Sequence, residues 1–181
     1  MTLEEVETEL FGISRSCERM PKLLELAQRD LLDKTTFLQA LGSVWSSCDN
    51  IGECAEDWDL DGLLEWAMEG NFTPGTKHIP DMMTPEEQRS LAALPIRVTI
   101  YRGCGPTNKL GYSWTLSRRV AEGIFEKAFY AQEKPILLTT TIDRANISAL
   151  KLDGEEEIIL LNAPYYEMDI QEDVLPGTGK V

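Results

Sequence analysis

The apolar residues in the first half of the chain recur at intervals of three and four positions. This spacing places them on one face of an α-helix and predicts four amphipathic helices. Turn and capping residues, among them Asp33 and Asp59, separate these helices. The predicted helical segments are LEEVETELFGI (3–13), MPKLLELAQRDLL (20–32), TTFLQALGSVWSSC (35–48) and LDGLLEWAMEG (60–70).

The pattern changes after a loop rich in proline and glycine, NFTPGTKHIPD (71–81). Thr84, Pro85 and Glu87 then have the spacing of a capping box and predict the start of a fifth helix. From Pro95 onward the apolar residues alternate or form short β-rich runs, which predicts strands. The predicted strands are IRVTIYR (96–102), PILLTTTI (135–142), EEIILL (156–161) and one short strand within residues 164–181.

One amphipathic helix interrupts these strands. Its sequence, LSRRVAEGIFEKAFYAQ (116–132), predicts a helix that begins at Ser117. The chain is therefore predicted to be an α+β protein with its helices first. We expect a helical subdomain at residues 1–90 and a second region at residues 91–181. With 181 residues, of which 43% are hydrophobic, the chain is long enough for one or two domains.

Charge is distributed unevenly along the chain, whose formal net charge is −14. Residues 1–90 carry 7 Lys and Arg against 19 Asp and Glu, residues 91–141 carry 7 against 3, and residues 142–181 carry 3 against 9. A positive segment between acidic flanks fits a cleft that holds an anion. The acidic total disfavours direct nucleic-acid binding, but an acidic surface that imitates nucleic acid or docks on a basic partner stays open.

Other features of the composition limit the compartment and the chemistry. The four cysteines, Cys17, Cys48, Cys54 and Cys104, are widely spaced and His78 is the only histidine, so we expect neither a metal site nor a disulfide framework. No run approaches the roughly 20 apolar residues of a membrane span, and the N-terminus is acidic rather than basic and then apolar. We therefore expect a cytoplasmic protein that does not bind membranes.

Three short motifs in the second region contain the candidate functional residues. The first strand ends with YRG, and the loop before the helix contains SWT. In the third motif, DGEEEIILL (153–161), three glutamates directly precede an apolar run. The candidates in these motifs are Tyr101, Arg102, Gly103, Ser113, Trp114, Thr115, Glu155 and Glu157. Taken singly, the motifs have ordinary explanations as a surface ion-pair partner, a helix cap and a solvated acidic cluster.

Strand geometry divides the three glutamates. If the segment is extended from its start, Glu155 and Glu157 share one face of the strand and Glu156 points to the other. Glu157 then borders the apolar part of the strand, where a charge is costly unless it is compensated. We expect no functional role for Glu156.

The three motifs, in this order, resemble those of the mono-ADP-ribosyltransferase family of the Arg-Ser-Glu type. The wider run over residues 82–162 also resembles small phage and bacterial ADP-ribosyltransferase-like proteins. This resemblance implies an ADP-ribosyltransferase-like split β-sheet with a packed helix at 91–181. It also implies that NAD is the co-substrate. The implied partner is a protein target, such as a host or defence protein, which the acidic helical subdomain is expected to bind.

The resemblance implies a role for each matching residue. Glu157 would be the catalytic carboxylate, since cleavage of the bond between nicotinamide and ribose builds positive charge on the sugar. Ser113 would orient that carboxylate, and Glu155 would act on the incoming acceptor. Arg102 would bind the pyrophosphate or the adjoining ribose, and Gly103 would hold the nicotinamide carboxamide.

The middle motif departs from the family pattern, because Trp114 stands where the family has threonine. Ser113 carries over, and Thr115 follows it as part of the same motif. Tyr101 and Trp114 are candidates for stacking on nicotinamide or adenine, with burial in the core as the alternative.

Two other functions stay open at this point. One is a non-catalytic acidic binding or inhibitor protein, either a nucleic-acid mimic or a decayed transferase fold, which needs no NAD. The other is an NAD glycohydrolase, which differs from a transferase only in using water as the acceptor.

Overall fold

A computed structural model of the chain describes residues 1–48, 51, 59–70, 73, 75–126, 134–153, 156–161 and 168–176. The fold is α+β, as predicted, with six α-helices and a six-stranded antiparallel sheet in these residues. The chain divides into two compact units, Met1–Gln88 and Arg89–Val181, where the sequence predicted a division after residue 90. Among the described residues, no helix is long and apolar enough to cross a membrane.

Of the first four helices that the structure describes, which lie in the first unit, three begin at polar residues whose side chains cap them. Thr2 and Glu5 form a capping box at the start of α1, and the carboxylate of Asp33 accepts a hydrogen bond from the amide of Thr36 at 2.7 Å. Asp59 caps the fourth helix in the same way, through the amide of Gly62. The helices are α1 (Leu3–Gly12), α2 (Ser16–Gln28), α3 (Lys34–Val44) and α4 (Leu60–Met68).

Helix α3 is the centre of this unit and packs against α1, α2 and α4. Its apolar side chains are fully buried, among them Phe37, Leu38 and Leu41. Helix α5 (Pro85–Ala93) follows, and its predicted capping box is confirmed. The amide of Thr84 donates to the Glu87 carboxylate at 2.7 Å, and the amide of Glu87 donates back to the Thr84 hydroxyl at 3.2 Å.

The second unit is built on one sheet with the strand order β4-β5-β2-β1-β3-β6. Every pairing between described strands is antiparallel. The strands are β1 (Arg97–Cys104), β2 (Ser113–Thr115), β3 (Ile136–Asp143), β4 (Ala149–Lys151), β5 (Glu157–Ile159) and β6 (Gln171–Val174). Helix α6 (Arg118–Gly123) begins at the predicted cap, Ser117, whose hydroxyl accepts a hydrogen bond from the amide of Val120.

The sheet is continuous, where the resemblance implied a split sheet. Its two three-stranded halves, β4-β5-β2 and β1-β3-β6, are nevertheless joined at one residue pair, Tyr101 opposite Thr115. By contrast, β1 and β3 pair along their whole length, from Arg97 opposite Asp143 to Cys104 opposite Ile136. The seam between β1 and β2 is thus the narrowest connection in the described sheet.

The structure corrects two sequence predictions and adds a strand that was not predicted. The SWT motif was placed in a loop, but it forms β2 in the middle of the sheet. Strand β4 was not predicted at all. The last strong strand was predicted to be extended from its first glutamate, but β5 begins only at Glu157, because Glu156 has a left-handed backbone with φ of 46°. The short strand predicted within residues 164–181 is confirmed as β6.

Candidate functional site

A row of polar side chains crosses the sheet on one face. Residues that lie directly opposite each other on antiparallel strands point to the same side. The register places Thr139 opposite Tyr101, Tyr101 opposite Thr115, Thr115 opposite Glu157, and Glu157 opposite Lys151. Five strands therefore contribute one side chain each to this row, which we call the polar row.

Helix α6 packs against the face of the sheet that carries the polar row. A Cβ atom built on Gly103, which also lies on this face, would overlap the carbonyl oxygen of Ala121 and press on Ile124. The chain can approach the helix this closely only because Gly103 has no side chain. The hydroxyl of Thr115 accepts a hydrogen bond from the amide of Ser117 at 3.0 Å, so the polar row also fixes the chain just before α6.

A small cleft of about 80 Å³ lies between the sheet and α6. It brings together seven of the eight candidate residues from the sequence, and three residues of α6 and the turn after it complete its lining. Its lining residues are Tyr101, Arg102, Gly103, Ser113, Trp114, Thr115, Val120, Ala121, Ile124 and Glu157. The eighth candidate, Glu155, lies outside the described residues.

Glu157 is half-buried at the first position of β5, and its direct neighbour on β2 is Thr115. Ser113 is instead paired with Ile159, so it lies diagonally from Glu157 on the same face. Diagonal neighbours on antiparallel strands are roughly 7–8 Å apart at Cα, against about 5 Å for direct neighbours. The strand register therefore places Thr115 closer than Ser113 to Glu157. The hydroxyl of Thr115 is thus the better placed of the two to orient the carboxylate.

The turn before β5 also contacts the start of α6. The carbonyl oxygen of Glu156 accepts a hydrogen bond from the amide of Leu116 at 3.2 Å. The side chain of Glu156 is exposed. Its left-handed backbone interrupts the extended conformation directly before Glu157.

Arg102 lines the cleft, but its side chain points to the other face of the sheet from Tyr101 and Gly103, because neighbours along a strand alternate. Its guanidinium donates to the carbonyl oxygens of Ser113 at 2.5 Å and of Asn108 at 3.2 Å. These bonds tie the β1–β2 loop back to β1. In this structure Arg102 fixes the beginning of β2.

Trp114 also points away from the polar row. Its side chain is 2% exposed, it lies opposite Ile158, and its indole nitrogen donates to the carbonyl oxygen of Gly111 at 3.1 Å. Of the two aromatic candidates for stacking, only Tyr101 has its ring on the same face as Glu157, and it is half-buried.

Two of the positive charges near the cleft are paired with carboxylates. Arg118, at the start of α6, lies 2.8 Å from Glu122 and 3.8 Å from Asp173, and the hydrogen bond that its guanidinium donates to the Glu122 carboxylate raises the pKa of the arginine. Lys109 lies 2.6 Å from Glu172. Strand β6 therefore supplies acids to two cations of the positive segment, so that segment is less available to an anion than its sequence indicates.

The buried thiol of Cys104 lies on the same face as Arg102. Burial raises its pKa, and the nearby Arg102 and Lys109 oppose that effect only in part. A thiol that stays protonated is a poor nucleophile. Among the residues that the structure describes, no group of three or more His, Cys, Asp or Glu side chains is placed to hold a metal ion.

Lys151 was not among the candidate residues predicted from the sequence. It is 5% exposed and lies directly opposite Glu157. A signal for it was present. Asp153 and Gly154 separate two apolar runs, and an Asp-Gly pair in such a position is typical of a β-hairpin. A two-residue hairpin loop there would bring Lys151 beside the acidic run but opposite Glu156, so this signal places the lysine near the glutamates without giving its register with Glu157. The contribution of α6 to the cleft was also missed, since it depends on tertiary packing.

Comparisons of the chain with protein-family models, with curated proteins and with solved structures found no match. The function is therefore argued from the cleft and its residues.

Proposed function

We propose that this protein is an NAD-dependent mono-ADP-ribosyltransferase whose active site is the cleft between the sheet and α6. The observation that carries the proposal is the convergence of three separate motifs. YRG, SWT and Glu157 lie on three neighbouring strands, and each contributes residues to the same cleft. Their order and chemistry are those that the resemblance to the Arg-Ser-Glu transferases implies.

In the proposed reaction, the bond between the nicotinamide nitrogen and C1′ of the ribose breaks. The electron pair leaves with nicotinamide, and positive charge develops on the ribose ring. A nucleophilic atom of the acceptor then bonds to C1′ and loses its proton. The resulting transition state resembles that of glycoside hydrolysis, in which a fixed carboxylate stabilises the cationic sugar.

Glu157 is the carboxylate that fits this task. It is the one acidic side chain among the residues that line the cleft in the described part of the chain. Half-burial beside two fully buried isoleucines, Ile158 and Ile159, limits water around it and strengthens its field. We propose that it stabilises the ribose cation and accepts a hydrogen bond from the 2′-hydroxyl.

The remaining cleft residues bind and orient the dinucleotide in this proposal. The main chain at Gly103 holds the nicotinamide carboxamide, and the ring of Tyr101 packs against nicotinamide. Thr115 or Ser113 orients the carboxylate of Glu157. Arg102 acts mainly by fixing the β1–β2 loop, because its guanidinium already donates to two main-chain carbonyls.

The acceptor is proposed to be a protein. The helical unit is strongly acidic, which suits docking on a basic surface of that target. A phage or bacterial effector that modifies a host or defence protein in the cytoplasm fits this combination. Direct nucleic-acid binding and membrane binding have no part in the proposal.

A product analysis of the wild-type protein tests this function. The protein is incubated with NAD and a bacterial lysate, nicotinamide release is followed by chromatography, and lysate proteins are searched for added ADP-ribose by mass spectrometry. The proposal predicts both nicotinamide release and at least one modified protein. Nicotinamide release with free ADP-ribose and no modified protein would replace the transferase with a glycohydrolase.

Absence of both products, together with salt-sensitive binding to a basic protein, would favour the acidic binding protein instead. Calorimetric titration with NAD separates these cases at an earlier step. The transferase and the glycohydrolase both require NAD binding, and the acidic binding protein does not.

A further inference from the structure

Lys151 is the last residue of β4 and lies directly opposite Glu157 on the same face of the sheet. It is 5% exposed, and the other two residues of its strand, Ala149 and Leu150, are buried as well. Lysine is rarely buried to this extent unless a carboxylate or a set of polar groups compensates its charge. A buried lysine is therefore the cross-strand neighbour of the residue to which the proposed function assigns catalysis.

The neighbours of Glu157 differ in charge on its two sides. On β2 its direct partner, Thr115, is neutral, and the next residue of the row, Tyr101 on β1, carries an ordinarily neutral phenol. On β4 its partner is the lysine. The register therefore makes Lys151 the nearest cation to Glu157 along the row.

The other charged groups near the cleft come from α6 and from the strand of Arg102. On α6 they are Arg118, Arg119 and Glu122, all exposed or half-buried, and Arg118 is already paired with Glu122. Arg102 points to the opposite face. On its own element Glu157 follows Glu156, an exposed acid that would weaken rather than strengthen its ionisation.

We propose that Lys151 is a positioning residue for Glu157, and that the ammonium group of the lysine keeps the carboxylate ionised through its field. This inference rests on the proposed function for its catalytic consequence, but not for the interaction itself. A carboxylate beside a fully buried apolar strand tends to take up a proton, and an opposite charge within roughly 4–6 Å counteracts that tendency. The general effect of such a cation is to extend the pH range in which the base form persists.

The inference has a specific consequence for catalysis. A protonated Glu157 cannot stabilise a cationic ribose, so loss of Lys151 should lower turnover at neutral pH and restore it partly at higher pH. Binding of NAD, which depends on the main chain at Gly103 and on Tyr101, should change little. Lys151 thus acts on kcat through Glu157, and its removal should leave KM for NAD close to that of the wild type.

The experiment compares Lys151→Met, Lys151→Arg and the matched control Lys134→Met, which removes an exposed lysine of the same unit. The pH profile of nicotinamide release is measured for each protein and for the wild type. For Lys151→Met we expect the acidic limb of the profile to move about 1–3 pH units upward, the range that an adjacent opposite charge produces. Lys151→Arg, which keeps the charge, should retain most of the wild-type profile, and Lys134→Met should not differ from wild type.

A titration that needs no turnover separates this inference from the proposed function. In protein labelled with an isotope in the glutamate carboxyl carbons, the NMR signal of Glu157 is assigned by its loss in Glu157→Gln. Its protonation midpoint is then measured in the wild type and in Lys151→Met. An unchanged midpoint would overturn the role of Lys151 even if NAD is cleaved, whereas a raised midpoint without any NAD cleavage would support the interaction and count against the transferase.

Discussion

Two neighbouring rows of side chains cross the same strands of the sheet and differ in chemistry. The polar row faces α6 and the cleft. The row one residue away on each strand, which we call the apolar row, faces the opposite side and is apolar except at Arg102. The polar row contains Thr139, Tyr101, Thr115, Glu157 and Lys151, and the apolar row contains Leu138, Arg102, Trp114, Ile158 and Leu150. Its apolar members are at most 2% exposed, and Arg102 is half-buried.

The difference shows how the chain can place a carboxylate and a lysine side by side within a small sheet. A register slip of one residue would exchange the two rows and bury the charges in the core. Burial of the apolar row therefore specifies the register that assembles the polar row. Residues that stabilise the fold and residues proposed for catalysis thus occupy adjacent positions on the same strands. Substitutions on the apolar face should therefore change mainly stability, and substitutions on the polar face should change mainly activity.

The largest effect on stability is expected from truncation on the apolar face. Ile158→Ala removes a fully buried side chain beside Glu157 and should lower the free energy of unfolding by about 2–5 kcal/mol. Urea denaturation followed by circular dichroism measures this change. Ile96→Ala, at a position 71% exposed just before β1, is the control and should change the free energy of unfolding by no more than about 0.5 kcal/mol.

If Ile158→Ala were as stable as Ile96→Ala, the apolar row would not be the core that fixes the register. Burial of that row would then not explain how the polar row is assembled.

A smaller effect on stability is expected on the polar face, at the contact with α6. In Gly103→Ala the new methyl group would overlap the carbonyl oxygen of Ala121, so strand and helix must move apart. We expect a loss of about 1–3 kcal/mol in the free energy of unfolding, as for other overpacked sites. Because this shift opens the cleft, nicotinamide release should fall as well.

Gly123→Ala is the matched control for that experiment. A Cβ atom at Gly123 meets open space at the end of α6, and the substitution should leave nicotinamide release unchanged. Equal activity of Gly103→Ala and the wild type would mean that close packing of β1 on α6 is not needed for the reaction.

Much of the fold could be predicted because capping residues and periodic patterns are local signals. Asp33, Thr84 and Ser117 cap helices where their positions in the sequence indicated. The long strands β1 and β3 were also predicted. Strands β2 and β4 were not predicted, since three residues are too few to reveal an alternating pattern, and their conformation depends on pairing with neighbours distant in sequence.

The candidate site was predictable at the level of motifs but not of side-chain direction. The structure brings the three motifs together in one cleft. Alternation along strands predicts that Arg102 and Trp114 point to the other face from Tyr101 and Thr115. Which of the two faces carries the cleft is decided only when α6 packs. The left-handed backbone of Glu156 had no sequence signal, because glutamate rarely adopts that conformation.

The most direct test of the proposed chemistry compares two adjacent glutamates in one assay. Glu157→Gln removes the carboxylate that lines the cleft, and Glu156→Gln makes the same chemical change at an exposed side chain one residue earlier. Nicotinamide release from NAD is measured for both at matched folded fraction. The account predicts that Glu157→Gln loses roughly 10²–10³-fold in kcat, as for loss of a preorganised electrostatic group, while Glu156→Gln stays close to wild type. Equal turnover of the two variants would contradict the assignment of Glu157 as the catalytic carboxylate.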